Sequence, residues 1–136
     1  MREERIVLPV RLGELELSVM QHVWTEGPLD VKAVHRALGV ERGISLNTVQ
    51  STMERLHRKR LLDREKVSHA YVYSARLSRE EYGSRAVEDV LSGLMAGDTE
   101  PMMSAFVDFA ARTGEETLAR LERLIRERRA AASRKR

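Results

Sequence analysis

The 136-residue sequence has no cysteine and no long run of apolar residues. Without cysteine the chain can form no disulfide, and it offers no thiolate metal ligand, thiol nucleophile or cysteine redox switch. No window approaches the roughly 18 consecutive apolar residues of a membrane span. Residues 1–11 carry charges where a secretory signal requires an apolar stretch. These absences predict a protein that stays in the cytoplasm.

Residue patterns typical of catalysis or metal binding are also missing. No serine, histidine and acid form a recognisable triad pattern, and the histidines lack the spacing of metal ligands. These histidines are scattered along the chain as His22, His35, His57 and His69. We therefore expect no enzymatic activity, no metal site and no cofactor.

The composition is that of an ordinary globular chain, with 42% apolar and 33% charged residues. Its length fits one domain of ordinary size, or a small domain that carries an extra helical arm. The segment 123–136 is strongly basic and contains Glu127 as its one acid, against Arg123, Arg126, Arg128, Arg129, Arg134, Lys135 and Arg136. Such a segment is typical of a surface that attracts phosphates or acidic partners, and equally of a solvated helix end, so it receives no specific role.

Three short helices are predicted before residue 61. The first is indicated by an apolar stripe at helical spacing that stops at Glu26-Gly27-Pro28, and the stripe consists of Leu12, Leu15, Val19, Met20, Val23 and Trp24. Asp30 is expected to cap a second helix from Val31 to Leu38, with Gly39 as its stop. Ser45 is expected to cap a third that runs to about Arg60 and buries Leu46, Val49, Met53 and Leu56.

A β-hairpin is predicted next, with strands Leu61–Val67 and Ala70–Ser74 around a turn at Ser68-His69. Three helices followed by a hairpin is the order of a winged helix, in which the second and third helices form a helix-turn-helix. The sequence therefore predicts a winged-helix domain over residues 1–77.

The remaining residues, 78–136, are predicted to form a helical second domain. Ser78-Arg79-Glu80-Glu81 has the pattern of a capping box, and Gly97-Asp98 interrupts the helix that it opens. Two further helices are expected, from Glu100 to about Ala111 and from Glu115 to Arg129. The apolar stripes of the three helices contain Val87, Val90, Leu91, Leu94, Met95, Met103, Phe106, Val107, Ala110, Leu118, Leu121, Leu124 and Ile125. So few helices can hardly bury these stripes alone, which predicts a homodimer; packing against the first domain is the alternative.

The third helix combines an apolar back with a polar front, as a helix in the DNA major groove requires. At 100° per residue its outward side carries Asn47, Thr48, Ser51, Arg55 and Arg58. The first three of these are the expected base readers, and the two arginines, with Lys59, are the expected backbone contacts. Glu54 would repel phosphate unless it pairs with Arg58. A merely solvated helix face is the alternative.

Two side chains at the tip of the predicted hairpin are further candidates for DNA contact. Lys66 and His69 lie where a basic residue can reach the neighbouring backbone or minor groove. A solvated turn is the alternative.

Four stretches of the sequence together resemble one family. They are Leu12–Trp24, Thr48-Val49-Gln50 followed by Arg55-Leu56, Ala70–Tyr73, and Ser78–Tyr82. These resemble the opening helix, the recognition helix, the second wing strand and the following helix start of the penicillinase repressor (BlaI/MecI/CopY) family. The resemblance extends from about Leu12 to Ile125.

This resemblance implies a mainly α-helical protein, with a winged helix-turn-helix N-terminal domain bearing a small β-hairpin wing and a helical C-terminal dimerisation domain. It implies a homodimer that binds an inverted-repeat operator in double-stranded DNA and represses transcription. On this basis Ser45 and Gln50 join the candidate DNA-binding residues of the third helix. The copper-responsive branch is resembled less, because its C-terminal cysteines are absent here.

The resemblance also bears on induction. In the drug-resistance members a membrane sensor protease triggers cleavage of the repressor, and Ser104–Phe109 resembles the cleaved segment. The scissile bond would lie between Asp108 and Phe109, although the family typically has Asn before that phenylalanine. Packing of Phe106 and Phe109 in a core is the favoured alternative.

Two departures from the family pattern concern the end of the third helix and the wing tip. Arg60 replaces the glycine that commonly ends the recognition helix, which should cost stability if the position is left-handed. Ser68-His69 replaces the common Gly-Arg of the tip. A neutral histidine contacts phosphate less strongly than arginine, so we expect weaker wing binding or binding that strengthens as the pH falls.

Two other functions remain open from the residues alone. A winged helix can serve as a protein-interaction module, which apolar residues on the front of the third helix would favour. Alternatively, the chain is a small-molecule-responsive regulator with a pocket between its domains. Ligand-dependent loss of DNA binding would identify the latter.

Overall fold

The computed structural model describes residues 12–94 and 97–135. The elements in chain order are α1 (Glu14–Glu26), β1 (Leu29–Asp30), α2 (Val31–Val34), a π-helical turn (His35–Gly39), α3 (Leu46–Arg58), β2 (Leu62–Val67), β3 (Ala70–Ala75), α4 (Arg79–Leu94), α5 (Glu100–Thr113) and α6 (Glu115–Arg134). The chain forms two compact units that divide between Leu91 and Ser92, inside α4. The functional division at residue 78 stays a prediction. Residues 1–11, Met95 and Arg136, which entered the sequence predictions, lie outside the described residues.

A small antiparallel sheet completes the first unit, with strand order β1-β3-β2. The predicted hairpin is confirmed, and its register runs from Leu62 opposite Ala75 to Val67 opposite Ala70. The two-residue strand β1 adds Leu29 opposite Tyr73. The sequence did not predict β1, because two residues are too few to show the alternation of a strand. This element order is that of a winged helix-turn-helix.

The core of the first unit lies between α1, α3 and the hairpin. The buried residues come from the stripes of α1 and α3, from α2 and from the hairpin and the segments flanking it, and they are Val19, Met20, Val23, Val34, Val49, Met53, Leu56, Leu61, Leu62, Tyr73 and Leu77. Leu12, Leu15 and Trp24 of the α1 stripe are partly buried and pack against this core. One predicted core residue is wrong: Leu46 is 37% exposed. It is the first residue of α3, one turn before the layer that Val49 begins. Thr52 is buried instead, and its hydroxyl donates to the Thr48 carbonyl at 2.8 Å.

The second predicted helix changes its winding after one α-helical turn. Asp30 caps it as predicted, accepting a hydrogen bond from the Ala33 amide at 2.8 Å, but α2 ends at Val34 and a π-helical turn continues to Gly39. The helical stretch ends at Gly39, one residue after the predicted Leu38. A Cβ at Gly39 would lie 2.5 Å from Cδ2 of His35 and 3.1 Å from the Ile44 carbonyl oxygen. Glycine is required there because the ring and the next turn approach closely.

The end of α3 confirms that Arg60 occupies a left-handed position, with φ of 66°. The amide of Leu61 donates to the Leu56 carbonyl and the amide of Arg60 to the His57 carbonyl, both at 3.0 Å. This pair of bonds is a Schellman motif, and the buried side chains of Leu56 and Leu61 supply its apolar contact. Ser68, at the hairpin tip, is also left-handed with φ of 60°.

The second unit contains α5 and α6, which contact each other on either side of Gly114. Among its described residues Ala110 is the one buried side chain. Phe106 is 44% and Phe109 60% exposed, so the expectation that both pack in a core is wrong for the single chain. The two helices bury too little surface between them to cover both rings. Further exposed apolar side chains of this unit are Leu94, Met103, Val107, Leu124 and Ile125.

Candidate nucleic-acid interface

The front of α3 is organised by its N-terminal cap. The Ser45 hydroxyl oxygen accepts a hydrogen bond from the Thr48 amide at 3.1 Å, and the same hydroxyl donates to Thr48 Oγ1 at 3.0 Å. The predicted cap is thereby confirmed, and it fixes where α3 begins. Beyond the cap, Asn47, Gln50 and Ser51 are exposed.

The two sides of α3 differ sharply in burial, because Val49, Thr52, Met53 and Leu56 face the core. Of the predicted contact residues, those exposed to solvent are Ser45, Asn47, Thr48, Gln50, Ser51 and Arg58, while Arg55 and Lys59 are partly buried. The polar side chains therefore form one continuous surface that is held by the core beneath it. Amide, hydroxyl and guanidinium groups on such a helix can reach base edges and phosphates.

Glu16 of α1 joins the first helix to the end of α3. Its carboxylate accepts a hydrogen bond from Lys59 Nζ at 2.9 Å, lies 3.8 Å from a guanidinium nitrogen of Arg55, and accepts another bond from the Gly13 amide at 2.8 Å. Its side chain is only 11% exposed. Two of the predicted backbone contacts, Arg55 and Lys59, thus have an internal partner that fixes them relative to α1.

Burial of the Glu16 carboxylate raises its pKa. The hydrogen bonds from Lys59 and Gly13 and the charges of Lys59 and Arg55 lower it. These partners outweigh burial, so the pKa is lowered from 4.5. Glu16 therefore stays ionised at neutral pH. Glu16 was not among the residues predicted from the sequence. Its one sequence signal is local: Glu16 stands three residues after Gly13, the spacing at which a glutamate folds back onto the first amide of a helix.

The hairpin places its two predicted contact residues, Lys66 and His69, on the surface. It also places Arg64, which the sequence analysis did not single out, over the ring of Tyr71, with 4.1 Å between the guanidinium carbon and the ring centroid. Arg64 donates to the Tyr73 hydroxyl at 3.4 Å. This hydrogen bond and the charge of Glu54 raise the pKa of Arg64, so it stays a cation. The signal lies in the hairpin register, which was not predicted from the sequence: Arg64 lies opposite Tyr73 and Lys66 opposite Tyr71.

The start of α4 is fixed to α1. The predicted capping box is confirmed, with the Glu81 amide donating to Ser78 Oγ at 3.0 Å and the Ser78 amide donating to Glu81 Oε1 at 2.8 Å. Trp24 Nε1 donates to the Leu77 carbonyl at 2.8 Å, and its ring centroid lies 5.7 Å from that of Tyr82. Burial, with the charge of Glu16, raises the pKa of Tyr82. The first turn of α4 is thus part of the first unit.

The candidate cleavage residues lie inside α5, where Asp108 and Phe109 are both exposed. Phe109 borders a groove of about 360 Å³ between α5 and α6, which is also lined by Phe106, Ala110, Thr117, Arg120, Leu121 and Leu124. The groove is apolar apart from Thr117 and Arg120. The predicted scissile bond therefore adjoins the apolar surface of the second unit.

Two further features concern the described ranges 12–94 and 97–135. Within them no three His, Asp or Glu side chains are grouped so that they could hold a metal ion. None of the helices in these ranges is long and apolar enough to cross a membrane.

Comparison with known proteins identifies a family model, sequences and structures that match this chain. The family model for the penicillinase repressor matches residues 12–127. The transcriptional regulator BlaI of Mycobacterium tuberculosis is 32% identical over 118 residues, which cover 86% of this chain and 84% of that protein. The penicillinase repressor of Bacillus licheniformis is 24% identical over 78% of this chain and 83% of its own length. The solution structure of the DNA-binding domain of the repressor BlaI matches with a TM-score of 0.49 at 23% identity, covering 56% of this chain and 94% of that domain. The extent of the family and sequence matches shows that the chain belongs to the penicillinase repressor family of transcriptional regulators.

Proposed function

We propose that this protein is a homodimeric, sequence-specific DNA-binding transcriptional repressor that acts on an inverted-repeat operator. The observation that carries the proposal is the front of α3, where exposed Asn47, Thr48 and Ser51 stand on a helix whose opposite side is fixed in the core. Family membership supports the same function. Leu46 is the one large apolar residue exposed on the described α3, which disfavours the alternative of a protein-interaction module.

The roles within α3 follow from position. Side chains of the first turns enter the major groove, so Asn47, Thr48 and Ser51 read base edges. Arg58 lies at the other end of α3 and is exposed, which suits a phosphate contact. Arg55 and Lys59 contribute positive charge to the same end while Glu16 holds them in place.

The dimer interface in this proposal is the apolar surface of the second unit, formed by Phe106, Phe109, Leu121 and Leu124 around the groove between α5 and α6. A monomeric protein rarely exposes so many large apolar side chains within so short a segment. A second copy of the chain is the occupant that a symmetric inverted repeat requires, because protein and operator then share a two-fold axis.

Induction by a membrane sensor protease is part of the proposal, with the bond between Asp108 and Phe109 as the target. Cleavage there separates Phe109 and all of α6 from the DNA-binding unit. The groove would lose one of its two walls, so the dimer would dissociate. Because proteases bind extended chain, α5 must unwind locally before it is cut.

Selection from a pool of random duplexes tests the function and identifies the operator in the same experiment. The full chain should enrich an inverted repeat whose half-sites lie about one or two helical turns apart. The matched variant Asn47→Ala should enrich the inverted repeat poorly or not at all. Recovery of no common sequence by the wild-type chain would contradict the proposal.

A further inference from the structure

The two faces of the β2–β3 hairpin differ in charge. Side chains alternate along a strand, and the register puts Arg64, Lys66, Tyr71 and Tyr73 on one face. This face continues the core side, because Leu62 and Tyr73 on it are buried in the core, and β2 packs against α3. The opposite face carries Asp63 and Glu65. A polyanion that lies along α3 therefore meets the basic and aromatic face of the hairpin.

Arg64 is the most restrained cation of that face. Its guanidinium stacks on Tyr71 and donates one hydrogen bond to Tyr73. A guanidinium has five N–H donors, so stacking and one bond leave most of its edge free. Because the side chain is already ordered, little rotamer entropy is lost when it binds an anion. Lys66 is exposed, and among the described residues no contact of comparable geometry restrains it.

Arg64 lies on the same face of β2 as Leu62, which is buried in the core, and β2 packs against α3. The charge of Glu54 on α3 also raises the pKa of Arg64. Glu54 stands between Asn47 and Arg58 on α3, within the surface proposed to meet DNA. Arg64 therefore lies where the hairpin and α3 adjoin.

We propose that Arg64, held on the ring of Tyr71, is a phosphate-binding residue through which the hairpin grips the DNA backbone beside the segment that α3 reads. The inference rests on the proposed function and adds a site to it. It makes Arg64, rather than His69 at the tip, the principal electrostatic contact of the hairpin. Tyr71 acts as a positioning residue, since its ring orients the guanidinium.

A phosphate contact is independent of sequence, so a mixed-sequence duplex of about three helical turns is a sufficient probe. Binding of the full chain is titrated at several salt concentrations. Arg64→Ala should reduce the slope of log K against log salt by about 0.9 per subunit and weaken binding about tenfold near physiological salt. Arg64→Lys should keep the slope, because the charge remains. Tyr71→Ala should keep the slope and weaken binding about threefold, the contribution of one exposed cation–π contact.

Two control experiments distinguish a phosphate contact by Arg64 from the loss of any exposed arginine and from neutralisation of Glu54. Arg76→Ala is the matched control, because Arg76 is exposed and pairs with Asp63 on the other face at 3.4 Å; it should leave slope and affinity unchanged. Repeating Arg64→Ala in a Glu54→Gln background tests whether Arg64 only neutralises Glu54. The reduction in slope and affinity should persist in the Glu54→Gln background. Thermal unfolding checks that each variant is folded.

The proposal is overturned if Arg64→Ala behaves like Arg76→Ala, or if its effect disappears in the Glu54→Gln background. Those outcomes leave the proposed function intact as long as the wild-type chain binds DNA and Asn47→Ala impairs sequence selection. A folded wild-type chain that binds no duplex at low salt overturns both.

Discussion

At the scale of single residues, two non-glycine positions in the described part of the chain adopt a backbone conformation that L-amino acids disfavour. Arg60 ends α3 and Ser68 forms the hairpin tip, with φ of 66° and 60°. A side chain in this region costs about 1–2 kcal/mol because its Cβ approaches the following carbonyl. The Schellman bonds at Arg60 and the strand pairing on both sides of Ser68 offset that cost.

Ser68→Gly should therefore stabilise the protein. We expect a gain of about 0.5 kcal/mol, because relief of the left-handed strain exceeds the entropy that glycine adds to the unfolded chain. Urea unfolding measures this gain in the free energy of unfolding. Ala70→Gly, two residues later in β3, is the control and should lose about 0.5–1 kcal/mol. A Ser68→Gly protein less stable than the wild type would contradict the account of the tip.

Glu16 should make stability depend on pH. A carboxylate whose pKa is lowered on folding contributes stability above its unfolded pKa, and that contribution is lost as the pH falls through the lower folded value. Glu16→Gln should thus cost about 1–3 kcal/mol at pH 7, since it removes charge-assisted hydrogen bonds from a buried site. The difference from the wild type should shrink as the pH falls below 4.5.

Urea unfolding of both proteins between pH 3 and pH 7 measures this difference. Glu14→Gln, an exposed substitution on the same helix, should change stability by less than about 0.5 kcal/mol at every pH. A Glu16→Gln deficit that is the same at pH 3 and pH 7 would show that the ion pair with Lys59 is not its cause.

Residue-scale features were predictable from sequence where they are local. The caps at Asp30, Ser45 and Ser78 were predicted, because each acts on an amide three residues away. The Glu16–Lys59 bond was not, because it joins residues 43 positions apart. Its existence depends on how α1 and α3 pack, which apolar periodicity alone does not specify.

At the scale of elements, α3 carries two kinds of side chain that mutation should separate. Asn47→Ala or Thr48→Ala should cost about 1–3 kcal/mol on a selected operator and much less on random DNA, because base contacts carry the sequence information. Arg58→Ala should weaken both duplexes by similar factors and lower the salt slope by about 0.9 per subunit. Asn47 is the cleaner test, since the Thr48 hydroxyl also accepts a bond from Ser45.

Titrations of the three variants on both duplexes at several salt concentrations check this assignment. If all three bind operator and random DNA like the wild type, α3 is not the reading element. Loss of discrimination in Arg58→Ala but not in Asn47→Ala would reverse the roles along the helix.

The helix α5 allows a test of the proposed induction. A chain that ends at Asp108 lacks Phe109 and α6, so it should sediment as a monomer and lose most of its operator affinity. A chain that ends at Ala130 is the matched control, because it keeps every residue that lines the groove and removes only the end of α6. A chain terminated at Asp108 that still dimerises and binds as tightly as the full chain would contradict cleavage as the inducing step.

Elements were predicted from sequence when they are long enough to show a period. The helices α1, α3, α4, α5 and α6 and the hairpin were predicted with ends that differ by a few residues. Strand β1 and the π-helical turn were not predicted. The two residues of β1 show no alternation, and the winding of the turn depends on how closely His35 approaches Gly39 and Ile44.

At the scale of the whole molecule, the distribution of exposed apolar surface supports a dimer. Helices α1 and α3 bury most of their stripes in one core, whereas α5 and α6 leave Phe106, Phe109 and Leu124 exposed. The sequence predicted this surplus from the number of helices and stripes. It could not predict which side chains a single chain buries, because that depends on how α5 and α6 pack around Ala110.

The central claim is that two copies of this chain bind one inverted repeat through α3. Sedimentation of the full chain with the selected operator, and with a duplex in which one half-site is scrambled, tests it most directly. We expect two chains on the intact operator and an affinity at least about a hundredfold weaker on the scrambled duplex, since it loses the base contacts of one subunit. One chain per operator, or equal affinity for the two duplexes, would contradict the account.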